Sequence, residues 1–172
     1  MKIFQNVLSV ETLNNIKTEI TSKKNQNCWC SSGLVWDKSV LQNIEGECLF
    51  SFLSDELNKK IEIDIKSYLP EYTELIIQLY IWTKNSGISL HSDHHPNRNF
   101  AATIYLNETW NLTDGGLFVW KNKNATEEIF NLISPKFNQM ILNDEFEPHM
   151  VTPISPLVQD YRYTIQIFGI KN

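Results

Sequence analysis

The chain has 172 residues, 42% hydrophobic and 20% charged, a composition that excludes a disordered chain and suits one globular domain with a sizeable core. Its formal charge is −5 at pH 7, so a nucleic-acid phosphate backbone is repelled on average, and the short basic run Lys121-Asn122-Lys123 reads as a solvated turn. Cys28, Cys30 and Cys48 are odd in number and lack zinc-site or redox-pair spacing, and the amino end has no long apolar run, so a cytoplasmic protein with no membrane partner is expected.

Ser9 reads as the N-cap of a first helix, with Leu8 placed to staple against Leu13 and with Leu13, Ile16 and Ile20 as its apolar stripe. This helix is expected to end between Ser22 and Lys24. Cys28 to Trp36 is rich in aromatics and reads as irregular chain or short strand. A second helix is expected to start between Glu47 and Ser54, because Leu49, Phe52, Leu53, Leu57 and Ile61 are spaced for one buried face, and Pro70 stops it.

Beyond Pro70 the chain changes character. β-Branched and aromatic runs recur between Gly, Asn, Asp and Pro: Glu74 to Lys84, Ile88 to Asp93, Phe100 to Asn107, Gly116 to Trp120, Ile129 to Ile133, Gln139 to Leu142, His149 to Ile154 and Tyr161 to Ile170. About eight strands without intervening helices argue against a parallel βαβ sheet and for a mainly β, α+β jelly roll with the early helices packed on one sheet. The expected organisation is one domain, residues 1–172, with a helical support region at 1–70 and the jelly-roll core at 71–172.

Within Leu90-His91-Ser92-Asp93 the period of two of a strand sends His91 and Asp93 to the same side. A second imidazole would complete two histidines and a carboxylate, the facial triad that leaves open positions on non-haem Fe(II). His149, 56 residues after Asp93, is the candidate. All four histidines of the chain, His91, His94, His95 and His149, fall in or near this proposed site.

Arg162 stands in the apolar run Tyr161 to Phe168, where a guanidinium needs an anionic partner because an unpaired buried charge is costly. Only Arg98 and Arg162 of the 15 basic residues are arginine, the side chain suited to a two-point grip on a carboxylate. Thr164 shares the face of Arg162 and can add a hydroxyl to the same anion.

Taken in order, Tyr80, His91-Ser92-Asp93, Tyr105-Leu106-Asn107, Trp110, Asp114-Gly115-Gly116, Pro135-Lys136-Phe137-Asn138, His149-Met150-Val151 and Arg162-Tyr163-Thr164 resemble the Fe(II)/2-oxoglutarate dioxygenases, more narrowly their prolyl-hydroxylase branch. The resemblance implies a double-stranded β-helix with Fe(II) held by His91, Asp93 and His149. It also implies 2-oxoglutarate on the metal, its distal carboxylate held by Arg162 with Thr164 and Tyr105, and Tyr80 lining the pocket near the metal-bound end. O2 would be the third reactant. Because halogenating relatives carry a small residue where Asp93 stands, hydroxylation is implied.

Substrate contacts are assigned to His94, Arg98, Trp110 and Trp120, although His94 also suits a solvated strand end, Arg98 a brace for its loop and the tryptophans a core. The expected substrate is a prolyl or other residue in a peptide or protein, with a free amino acid or natural-product intermediate as the alternative. Two further readings stand beside it: a cupin-like metal-binding protein, which leaves Arg162 unexplained, and a jelly-roll binding module without metal.

Overall fold

The computed structural model describes residues 1–26, 28–36, 38–121 and 129–171. In chain order the strands are β1 (Lys2–Gln5), β2 (Cys30–Ser31), β3 (Ile44–Glu45), β4 (Cys48–Phe52), β5 (Glu74–Trp82), β6 (Gly87–His91), β7 (Arg98–Tyr105), β8 (Phe118–Lys121), β9 (Phe130–Ile133), β10 (Gln139–Asn143), β11 (His149–Val151) and β12 (Arg162–Ile170). The helices are α1 (Val10–Gln26), α2 (Lys38–Leu41) and α3 (Asp55–Ile65). Two antiparallel sheets face each other as a jelly roll: seven strands in the order β1-β10-β7-β12-β5-β4-β2, and five in the order β3-β6-β11-β8-β9.

Strand alternation divides the larger sheet cleanly. Ile77, Leu79 and Ile81 of β5 and Tyr163, Ile165 and Ile167 of β12 point outward, where Leu13 and Ile16 of α1 and Leu57, Ile61 and Ile65 of α3 cover them. The residues between them, including Tyr80, Trp82, Arg162 and Thr164, point inward toward Ile88, Phe118 and Val151 of the smaller sheet. One face makes the helix-covered core and the other makes a cavity. Fully burying an isoleucine such as Ile61 or Ile65, both 0% exposed, is worth roughly 1.5–3 kcal/mol, so α3 is held mainly by its packing.

Ser9 caps α1 by accepting a hydrogen bond from Thr12 N at 3.2 Å, and Leu8 and Leu13 are both buried, as the spacing predicts. The helix runs on to Gln26, beyond the expected stop at Ser22 to Lys24. The second long helix starts later than expected. Leu49 and Phe52 belong to β4, which pairs with β5, because the run Cys48 to Leu53 satisfies a strand's period as well as a helix's and the neighbouring strand decides. Phe52 is consequently exposed.

Residues 1–70 are therefore not merely helical support. β1 pairs with β10, β4 with β5 and β3 with β6, so the early chain extends both sheets. All eight strand runs expected after Pro70 form. No periodic pattern marks β1, β2 or β3, which are two to four residues long. No helix among the described residues is long and apolar enough to cross a membrane.

Close approach between strand and ring makes Gly169 a sensitive position. A Cβ there would stand 2.1 Å from Cε1 of Phe100, whose side chain is 0% exposed and cannot move aside. Gly169→Ala is expected to cost about 1–3 kcal/mol of stability, the usual range for overpacking, read as a lower urea midpoint at unchanged slope.

Candidate active site

The two imidazoles meet through a β-ladder. His91 ends β6 and His149 begins β11, and the antiparallel register sets them directly opposite each other. Opposed residues project to the same face, and the ring centroids lie 4.4 Å apart. Phe118, on the next strand, stacks on His149 at 5.0 Å.

Asp93 is not on the strand, contrary to the expected run to Asp93. β6 stops at His91 because β11 begins at His149 and offers no backbone partner beyond it. Two side chains hold the loop instead: Ser92 Oγ donates to the Phe146 carbonyl at 3.1 Å, and Arg98 Nη1 donates to the Asp93 carbonyl at 3.0 Å. The carboxylate still arrives between the imidazoles, with Oδ1 3.8 Å from His91 Nε2 and Oδ2 3.4 Å from His149 Nε2. The three candidate ligand atoms lie within 4.8 Å of one another.

Each ring is set up to ligate through Nε2. His91 Nδ1 lies 2.9 Å from the Ser89 carbonyl and His149 Nδ1 3.1 Å from the Glu147 carbonyl, so both Nδ1 atoms carry the hydrogen and both Nε2 lone pairs face Asp93. Burial, with the adjacent His149, holds the His91 imidazole below its ordinary pKa against the opposing pull of Asp93. A neutral imidazole is the ligand form. The donor set thus fits a single divalent cation.

The sequence reading missed Asn143 in this arrangement. Buried at the end of β10, it accepts from Glu147 N at 2.9 Å and donates to the Glu147 carbonyl at 3.0 Å, fixing the turn that presents His149. The available signal was an asparagine closing an otherwise apolar strand.

A second feature occupies the same cavity. Arg162 is 1% exposed, and its Nε and Nη1 have no hydrogen-bond partner. Tyr105 Oη, equally buried, has none either, and the guanidinium lies 4.9 Å from that phenol ring. Burial pulls the Arg162 pKa below its usual value, with Tyr105 opposing, and burial raises that of Tyr105, with Arg162 opposing. No carboxylate among the described residues pairs with Arg162. Thr164 adjoins them on the same face and accepts from Trp82 Nε1 at 3.2 Å. A buried cation beside a phenol and a hydroxyl, with no carboxylate partner among the described residues, suits an anion.

Gly116 leaves room for that arginine. Its φ is +61°, and a Cβ would stand 3.2 Å from both Cδ and Nη1 of Arg162. Gly116→Ala is expected to cost about 1–2 kcal/mol in backbone strain and to displace the guanidinium, read as a lower thermal midpoint.

The cavity, about 150 Å³, brings together His91, Asp93, His149, Arg162, Thr164, Tyr80 and Arg98. Tyr80 lines it with a committed hydroxyl, accepting from Trp36 Nε1 at 2.9 Å and donating to Gln78 Oε1 at 2.8 Å. Three assigned substrate contacts are not among the residues that line it. His94 is exposed and sets its ring edge-on to Phe146, and His95 is exposed too, so only two of the four histidines enter the site. Trp110 lines a different cavity and donates to the Gly115 carbonyl at 2.9 Å, closing the turn before β8. Trp120 stands opposite His149 in the ladder and packs beside Phe118, 6.0 Å away, on the same face as both, but is not one of the residues that line the cavity. In each case the ring found a nearer apolar or hydrogen-bonding partner. Trp36, from the segment Cys28 to Asp37 expected to bear on substrate choice, lines the cavity, and Gln78 and Gln166 line it unforeseen, because no motif marks them.

The 2OG-Fe(II) oxygenase superfamily model matches residues 76–169. No curated protein matches the chain. Its fold is similar to that of a Pseudomonas putida prolyl-4-hydroxylase, with a TM-score of 0.74, 14% identity, and coverage of 99% of this chain and 92% of that one. A prolyl hydroxylase from Trichoplax adhaerens, solved with a hypoxia inducible factor oxygen degradation domain peptide fragment, gives 0.74, 20% identity and coverage of 98% and 82%. The viral collagen prolyl hydroxylase of Paramecium Bursaria Chlorella virus-1, solved with 2OG, gives 0.62, 14% identity and coverage of 97% and 93%. At these identities the likeness is one of fold.

Proposed function

The chain belongs to the 2OG-Fe(II) oxygenase superfamily, and from that membership we propose that it hydroxylates a prolyl or other amino-acid residue in a peptide or protein, with His91, Asp93 and His149 as the metal ligands. It is a dioxygenase of the hydroxylase type that uses Fe(II), 2-oxoglutarate and O2. When bound, these supply oxidative decarboxylation of 2-oxoglutarate to succinate and insertion of one oxygen into an unactivated C–H bond. The protein supplies orientation and a dry cavity.

The observation that carries the reading is the fully buried Arg162, without a carboxylate partner among the described residues, in the same cavity as the convergent His91, Asp93 and His149. A metal site alone would suit a cupin-like protein, and an empty jelly roll would need neither. In this reading Arg162 takes the distal carboxylate of 2-oxoglutarate in two-point fashion, Tyr105 and Thr164 add hydroxyls, and Tyr80 with Trp82 walls the pocket. The neutral imidazoles and the Asp93 carboxylate leave three positions of an octahedral ion for the cosubstrate and O2.

A peptide substrate is supported by the fold shared with the Trichoplax enzyme, which was solved with a peptide fragment. A free amino acid or natural-product intermediate is the alternative, and a nucleic acid is not part of the reading. We read residues 1–172 as one catalytic domain, because strands from the first 52 residues complete both sheets. The cytoplasmic assignment is supported by three free cysteines, two of them exposed.

The decisive experiment is succinate formation from 2-oxoglutarate with added Fe(II), paired with anaerobic titration of 2-oxoglutarate into the iron-loaded protein while following the weak visible charge-transfer band. Metal binding without that band or succinate would favour the cupin-like reading. Absence of metal binding would favour the binding module.

A further inference from the structure

Strand alternation lays out the cavity floor in rows. On the inward face of the larger sheet Trp82 lies opposite Arg162, Tyr80 opposite Thr164, and Gln78 opposite Gln166, which also faces Thr103; Ile76 and Phe168 form the next row. From Arg162 to Phe168 is ~20 Å at the rise of a strand. A five-carbon dicarboxylate held at Arg162 does not reach that far. The rows of Gln78, Gln166 and Phe168 are left for the molecule that is oxidised.

The polar groups in those rows are hydrogen-bonded to one another. Tyr80 Oη accepts from the indole N–H of Trp36 and donates to Gln78 Oε1, so the carboxamide oxygen of Gln78 faces Tyr80. The Gln78 NH2 group is turned away from it. Thr103 Oγ1 donates to Gln166 Oε1 at 2.6 Å and orients the second carboxamide in the same way. Neither NH2 group has an acceptor among the described residues.

Arg98 adds a charge at this end of the cavity. Its guanidinium stacks 3.9 Å from the Phe168 ring centroid and donates one bond, to the Asp93 carbonyl. Among the described residues no carboxylate pairs with it and its remaining N–H groups make no hydrogen bond. Apart from Asp93, no acidic side chain lines the cavity. Two carboxamides whose oxygens are already engaged, and a cation without a carboxylate partner among the described residues, therefore line the space left open.

We propose that Gln78, Gln166 and Arg98 form a carboxylate-binding subsite for the oxidised substrate, which accordingly carries a carboxylate close to the C–H bond that reacts. This rests on the hydroxylase reading above. The shared chemistry has two sources, the terminal carboxylate of an amino acid or peptide and an acidic side chain within a peptide.

Calorimetric binding to the Fe(II) enzyme under argon, saturated with 2-oxoglutarate so that Arg162 is occupied, tests it with two pairs of probes. N-acetyl-L-proline against its methylamide isolates a terminal carboxylate, and N-acetyl-prolyl-aspartate amide against N-acetyl-prolyl-asparagine amide isolates a side chain. The carboxylate member of at least one pair is expected to bind at least about tenfold tighter, with the preference lost in Gln166→Leu and Arg98→Gln. Which pair discriminates identifies the source. Equal binding within both pairs, or no binding by either carboxylate, overturns the subsite. The initial 2-oxoglutarate titration is independent of that result, and its failure would instead remove the hydroxylase reading.

Discussion

Replacing Asp93 with alanine is expected to lower succinate formation by at least about 100-fold, because loss of a mere outer-shell partner of a metal ligand already costs 10–100-fold in affinity or activity. Asp93 contributes the one negative charge of the donor set and stands between His91 Nε2 and His149 Nε2. Removing it leaves two neutral imidazoles, which hold a divalent ion weakly, so iron retained after dialysis should fall with activity. The fold should not. Asp93 lies outside both ladders, in a loop tied by Ser92 and by Arg98 to the Asp93 backbone, so the melting midpoint of the metal-free protein should move by less than about 4 °C. Normal turnover in this variant would remove the metal assignment.

Substitution of Arg162 should pull stability and function in opposite directions. In Arg162→Lys the charge stays and the planar fork is lost, so the KM for 2-oxoglutarate should rise about 10–100-fold, corresponding to loss of one or two charge-assisted hydrogen bonds. In Arg162→Met an unpaired buried cation is replaced by a flexible apolar side chain. Hydrophobic replacement of buried charges is often neutral or stabilising by about 1–4 kcal/mol, so the protein without 2-oxoglutarate should melt no lower than the wild type, while the rise in midpoint that 2-oxoglutarate gives the wild type should vanish. A melt series with and without 2-oxoglutarate reads both effects. An Arg162→Met protein still stabilised by 2-oxoglutarate would show that another group holds the distal carboxylate.

Much of the fold was legible because each strand after Pro70 obeys one local rule. In β12 the odd residues Tyr163, Ile165 and Ile167 enter the helix-covered core and the even residues Arg162 and Thr164 enter the cavity, an assignment that follows from the period of two alone. The anomaly of an arginine in that run was equally legible, since its cost does not depend on which elements surround it. Less could be read before Pro70. Cys48 to Phe52 fits a helix face and a strand, and only pairing with β5 chooses between them.

By itself, then, the sequence determined the strand content, the two sides of each long strand and the presence of side chains suited to a metal and to an anion, because propensity, alternation and the price of burying charge are local properties; the dicarboxylate came only from the resemblance. Tertiary structure alone decided which of them meet. His149 reaches His91 through ladder register, Asp93 reaches both from a loop braced by Arg98, and Trp110 turns to a backbone carbonyl away from the site. The outward turn of His94 and the alignment of Gln78 through Tyr80 and Trp36 were decided in the same way. Such outcomes depend on contacts between residues tens of positions apart, and no local pattern carries their register.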